Sequence, residues 1–226
     1  MTKQKRQALF LAMPIMLALL TFFVSPMVYV LVDTMKDNGT KYFVKFFTDD
    51  MYIGILKTTI SVSLKTTVIS LLLGYPTAYF LARTGSKIKN VLMIAILFPF
   101  LVSSVVRSYG WMVILGTKGL LNQFLQAVGL IREPLEILNT STAVIIGLVH
   151  LLIPYMVLSI ASVIQGIDPN LEYAAYSLNA NPIQTFLKVT LPLSAPGIIS
   201  GCILVFTLSM TSYVTPKLLG GSKFRM

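Results

Sequence analysis

Several groups capable of chemistry stand in or beside long apolar stretches: Lys57, Lys65, Arg107, His150 and Cys202, with the rings of Tyr109, Trp111, Tyr155 and Tyr213. An ionisable side chain inside an apolar run is a functional candidate by default. For Arg107 that role would be contact with something passing through. Snorkelling to a membrane surface explains it equally well. Lys57 is near enough to the end of its run to snorkel, whereas Lys65 is expected at a subunit interface or a pore. His150 has no second imidazole or carboxylate close in sequence, so it reads as a helix-packing residue and not a metal ligand. Cys202 is the only cysteine and one thiol makes neither an intrachain disulfide nor a thiolate cluster. Phosphate-binding glycine loops, nucleophile–base pairs and paired metal ligands are all missing from the sequence, which predicts no catalytic site, no metal and no cofactor in this chain.

The most informative spacing lies between residues 166 and 194. Asp168 precedes Pro169, a pairing that starts a helix, because the aspartate caps and the proline lacks an N–H that would go unused there. Asn181-Pro182 repeats the device. Between the two starts Asn179 is suited to the left-handed conformation that ends a helix. The segment therefore predicts two short helices at an angle, one with an apolar face of Leu171, Ala174, Ala175 and Leu178, the other with Ile183, Phe186, Leu187 and Val189. A soluble partner could grip such a knob.

These pieces need positioning, and composition says by what. Hydrophobic residues make up 55% of the chain and charged ones 12%, too few polar side chains to cover a water-soluble globule. A bilayer core of about 30 Å needs roughly 20 apolar residues per helix. Five spans are expected, at about 8–32, 54–82, 91–115, 141–165 and 195–215, in one transmembrane domain of residues 1–226. The first, Ala8 to Val32, is too long for a signal-peptide core and lacks a cleavage pattern, so it should remain as a span. The net charge of +10 is scattered at the ends of apolar segments, which speaks for membrane flanks and against a nucleic-acid stripe. With Lys3, Lys5 and Arg6 inside, Arg83, Lys87, Lys89 and Lys188 are inside too, but Lys36, Lys41, Lys45, Lys118, Arg132, Lys217, Lys223 and Arg225 fall outside, and the positive-inside count decides little. Asp33, Asp37, Asp49, Asp50, Glu133 and Glu136 fall outside as well. The stretch 116–139 predicts an interfacial helix begun after Gly119 and stopped near Gly129, with Trp111 as an interfacial anchor. Gly74 with Pro76, and Pro99, predict kinks. Gly197 and Gly201 form a small-xxx-small pair.

The motif Glu172-x-Ala174-Ala175, with Asn179 four residues on and a closing Leu191-Pro192, resembles the EAA loop of importer-type ABC permeases, Asn179 standing where that family has glycine. Phe98-Pro99-Phe100, Arg107-Ser108-Tyr109-Gly110-Trp111, Gly119 to Asn122, Ala143 to Val149 with Pro154, Tyr213 to Pro216 and Leu219-Gly220-Gly221 are similar to the first permease subunit of spermidine/putrescine importers. Importers of iron, aminoethylphosphonate, thiosulfate and opines share parts of this pattern. The resemblance implies an all-α polytopic bundle of the type I importer permease kind, in a bacterial inner membrane with a cytoplasmic amino terminus. It implies an ATPase-coupling set of Glu172, Tyr173, Ala174, Ala175, Leu178, Asn179, Pro182 and Phe186, and a solute pathway drawn from Arg107, Tyr109, Trp111, Tyr155 and Tyr213. The implied partners are a second, non-identical permease, two ATP-binding subunits that hold ATP and Mg, an extracytoplasmic solute-binding protein and membrane lipid, with no nucleic acid. Glu172 is expected to favour its helix dipole and pair with a cation of the ATPase. Five spans leave the carboxyl end outside, so a sixth helix beyond Met226 is expected. An ion-coupled secondary transporter would need buried carboxylates, and every Asp and Glu falls in an expected loop; a membrane-embedded enzyme would need clustered His, Asp or Glu.

Overall fold

The computed structural model describes residues 13–36, 39–221, 224 and 226. Lys3, Lys5, Arg6, Asp37, Lys223, Arg225 and the first residues of the expected span 8–32 lie outside them. All elements among the described residues are helical, as lipid requires, because a helix satisfies its backbone polar groups within itself. The chain divides into two compact units, Met1–Gly54 and Ile55–Met226.

The first unit holds α1 (Met13–Lys36) and α2 (Gly39–Thr48). Helix α1 is long and apolar enough to cross a membrane, and its large side chains are exposed from Met13 to Met35. Its Leu20–Val24 turn is π-helical, and Pro26 follows two residues later. A proline ring displaces the carbonyl four residues back, and a widened turn accommodates it. After α2, the Asp49 carboxylate accepts the Met51 N–H at 2.9 Å, and Phe46 packs on Phe47 and Tyr52.

The second unit is built around α7 (Ser141–Gly166), which enters both apolar cores. One core joins Tyr75, Ala78 and Leu81 of α3 (Asp50–Arg83) to Leu152, Met156, Ile160 and Ile164 of α7 and Val205 of α10 (Ala195–Met210). The other joins Val62 of α3 and Leu115 of α5 (Ser104–Leu115) to Val144 and Leu148 of α7 and Leu219 of α11 (Val214–Leu219). Between these helices run α4 (Ser86–Leu101), α6 (Leu120–Ala127), α8 (Asn170–Ser177) and α9 (Pro182–Leu193). Helix α6 forms where a helix after Gly119 is expected, with Gly129 left-handed at φ 75° just beyond it. Asn122 at its start is buried and fixes the following loop, donating to the Gly116 and Leu135 carbonyls at 3.0 Å each and accepting from the Leu135 N–H at 2.8 Å.

Three helices are each long and apolar enough to cross a membrane, and two bent pairs bring the total to five among the described residues. The expected span 91–115 is one of those pairs: Lys87–Leu101 and Ser104–Ala127 meet at 97°. Pro99 explains the place, since its ring weakens the last turn of α4 and the chain goes extended at Val102. The expected span 195–215 ends at Met210, with α11 separate, and it is preceded by α9 at 63°. Through Gly74 and Pro76, α3 continues as one helix.

Small residues set the approach of α7 and α10. A methyl group at Gly197 would stand 3.0 Å from the Ser159 carbonyl oxygen and from Val163, and one at Gly201 would stand 2.8 Å from the Met156 sulfur. In lipid, where apolar burial gives little drive between helices, such close packing supplies the association. Gly197→Leu should therefore cost about 1–3 kcal/mol of stability by overpacking, whereas Gly110→Leu, where nothing lies within 4 Å, should stay within about 0.5 kcal/mol. Thermal unfolding of the two variants in detergent checks the contrast.

Candidate functional site

The segment 168–193 folds by its own local chemistry. The Asp168 carboxylate accepts the Asn170 N–H at 2.9 Å and opens α8. The helix ends where Asn179 adopts φ 59°, with the Ala180 N–H donating back to the Ala175 carbonyl at 3.1 Å. Asn181 and Gln184 then cap α9 reciprocally, at 2.8 and 3.0 Å. Within α9 the Phe186–Thr190 turn is π-helical and Pro192 follows it by two residues, the same pairing seen in α1.

Its anchor is an ion pair. Arg83, the last residue of α3, donates from Nη2 to Glu172 Oε1 at 2.7 Å and from Nη1 to the Ile167 carbonyl at 3.3 Å. The Thr190 hydroxyl donates to the same carboxylate oxygen at 3.0 Å. Glu172 is only 8% exposed, and within this chain its cation is Arg83, because α3 ends against the turn between α7 and α8. Its place in the first turn of α8 is as expected. A charged hydrogen bond of this kind contributes on the order of 2 kcal/mol, less than in a fully dry site since water reaches part of the arginine.

Phe186 is also anchored inward. Its ring meets Tyr75 at 5.5 Å and Tyr79 at 6.1 Å, both edge-on, and the Tyr75 hydroxyl pairs with Ser194 at 2.8 Å. It therefore does not share the open face expected for it with Ile183 and Leu187. What stays open is an apolar surface of Leu171, Tyr173, Leu178, Ile183 and Leu187, with Leu178 84% exposed and Ile183 70%. Ala174 and Pro182 are exposed beside it and Ala175 is half-buried.

The second candidate group gathers only in part. Trp111 meets the His150 ring edge-on at 5.6 Å, and Tyr155 meets Phe100 at 4.8 Å. Arg107 lies within electrostatic reach of His150 and Tyr155. Its Nε and Nη1, like His150 Nδ1, are enclosed without a hydrogen-bond partner. Tyr109 and Tyr213 are exposed. Lys57 and Lys65 are exposed on α3, and Cys202 is half-buried beside the first core. Arg83 and Thr190 were not singled out from the sequence. Arg83 reads there as a flanking charge, and its partner lies 89 residues away. A stripe of Ser63, Thr66, Thr67 and Ser70, buried along α3, was missed as well, although its helical spacing is visible in the sequence.

Residues 70–225 match the family described as binding-protein-dependent transport system inner membrane component. The spermidine/putrescine transport system permease protein PotB of Escherichia coli K12 is 41% identical over 175 residues, covering 77% of this chain and 64% of that protein. Its counterpart from Haemophilus influenzae is 43% identical over 173 residues, covering 76% and 60%. The E. coli inner membrane ABC transporter permease protein YdcU is 32% identical over 180 residues, covering 74% and 57%. The chain thus spans less than two thirds of the length of these curated relatives. A crystal structure of a bacterial ABC transporter involved in the import of the acidic polysaccharide alginate superposes with a TM-score of 0.72 at 22% identity, over 96% of this chain and 79% of that one. The fold is that of a type I ABC importer permease.

The left-handed Asn179 gives a direct check. Asn179→Gly should leave the segment intact, while Asn179→Val should lose about 1–2 kcal/mol because a β-branched residue resists positive φ. Limited proteolysis between α8 and α9 reads the difference as faster cleavage of the valine variant alone.

Proposed function

From the premise that the chain belongs to the binding-protein-dependent transport system inner membrane component family, we propose that it is the permease subunit of an ATP-driven importer of polyamines. As a member of that family it is a multi-pass inner-membrane transport protein. The observation that carries the reading is the open apolar knob of α8 and α9, fastened from behind by Arg83 and Phe186. A pore subunit without nucleotide chemistry receives work through a contact, and this knob is built for one. It docks on an ATPase subunit that holds ATP and Mg, one of a pair, while a second, non-identical permease completes the pathway. The amino terminus and the knob are assigned to the cytoplasmic side, because that is where a soluble ATPase subunit can reach the knob.

The polyamine assignment is supported by the 41–43% identity to spermidine/putrescine permeases. Within the pathway the chain offers aromatic faces such as Trp111 and Tyr155, and Arg107 as a fixed positive charge. Aromatic faces attract organic cations weakly, and a neighbouring guanidinium opposes tight retention. The solute passes without a strong site, and an extracytoplasmic binding protein selects it. Carriage driven by protons or sodium would use a buried, free carboxylate; among the described residues the buried carboxylate is Glu172, which Arg83 and Thr190 hold.

Reconstitution with the ATPase, the second permease and a spermidine-loaded binding protein tests this. Uptake of labelled spermidine should be abolished by vanadate; uptake indifferent to vanadate but collapsed by a protonophore would overturn the reading. In the same system Leu178→Asp should weaken ATPase co-purification by about one to two orders of magnitude, since burying a leucine contributes roughly 1.5–3 kcal/mol.

A further inference from the structure

The knob can transmit work only if its rear is held, and the charged part of that hold is one guanidinium. Arg83 binds two elements directly, the turn after α7 through the Ile167 carbonyl and α8 through Glu172, and the same Glu172 oxygen accepts the Thr190 hydroxyl of α9. Helix α8 has eight residues, too few to persist in water unaided. Arg83 is in turn the last residue of α3, a helix of 34 residues whose buried face runs into both cores. Displacement of α8 must therefore pull on the end of α3 or break the pair.

We propose that Arg83 is a positioning residue that carries movement of the 168–193 segment into α3, with Glu172 as its partner and Thr190 steadying that carboxylate, and that Glu172 does not touch the ATPase. The proposal rests on the reading that this segment docks on an ATPase. An ion pair suits the task better than apolar packing. A forked guanidinium fixes one register, whereas two greasy surfaces slide, and a buried pair adds little net stability for its specificity. The surrounding contacts divide the labour: Phe186 between Tyr75 and Tyr79, with the Tyr75–Ser194 hydroxyl pair, holds α9 against α3 by packing. Loss of the ion pair should thus leave the segment folded but loosely geared.

The experiment uses the reconstituted complex and reads the ATP hydrolysed per spermidine imported, alongside ATPase co-purification. Arg83→Gln and Glu172→Gln should keep the ATPase bound yet raise the ratio by about tenfold, a typical coupling energy for groups in direct contact. Thr190→Val, a nearly isosteric change, should raise it less. Arg83→Lys should recover part of the coupling, and the exchange of the two charges, Arg83→Glu with Glu172→Arg, should return the ratio toward that of the unmodified chain. An unchanged ratio in both glutamine variants would overturn the proposal, as would loss of the ATPase from Glu172→Gln but not from Arg83→Gln, because Glu172 would then be a docking residue. If the glutamine variants fail to assemble, Thr190→Val decides alone: an unchanged ratio overturns the proposal. Failure of the solute reading looks different. The unmodified complex would then show binding-protein-stimulated hydrolysis without spermidine uptake, and the ratio of stimulated to basal hydrolysis would replace the transport ratio in the same comparison.

Discussion

Lipid offers no hydrogen bonds, and that constraint shapes everything else in this chain. Each backbone group that crosses the hydrocarbon must be satisfied within its own helix, so departures from regular helix carry information. Two π-helical turns each precede a proline by two residues, at Pro26 and Pro192. A third proline, Pro99, stands just before the 97° break at Val102 and Ser103. Some helix starts are capped by side chains, as at Asp168 and Asn181.

Within lipid the helices meet by shape. Gly147 faces Leu219 and Thr215, Gly201 faces Met156, and Gly197 faces the backbone of Ser159, so α7 is approached closely by both α10 and α11. Close approach leaves little room for sliding. Motion of this unit is accordingly expected to occur as displacement of whole helices at bends, with the 63° angle between α9 and α10 nearest the knob. That bend, at Ser194, is tied to α3 by the Tyr75 hydroxyl, and the Arg83–Glu172 pair closes the end of the same helix.

What could be read from the sequence was local. The start of α8 at Asp168, the left-handed Asn179 and the capped start at Asn181 each depend on neighbours within four residues, and each is where the spacing put it. The open apolar face was legible for Leu171, Leu178, Ile183 and Leu187, since helical period alone defines it. Phe186 was misassigned because the same period does not say that Tyr75 and Tyr79 wait on the other side. The partner of Glu172 within the chain was not legible for a related reason: 89 residues separate it from Arg83, and no local rule connects them. The bend after Leu101 was signalled by Pro99, but its 97° size was not, for a bent pair and a straight span have the same composition.

The central claim is that one face of the 168–193 segment meets the ATPase while the opposite face is fastened to α3. Site-specific photo-crosslinking from positions 178 and 186 in the assembled transporter tests it most directly. Leu178 is open and Phe186 lies against Tyr75 and Tyr79. A probe at 178 should capture the ATPase subunit and a probe at 186 should capture only this chain. Capture of the ATPase from 186, or of lipid alone from 178, would contradict the account.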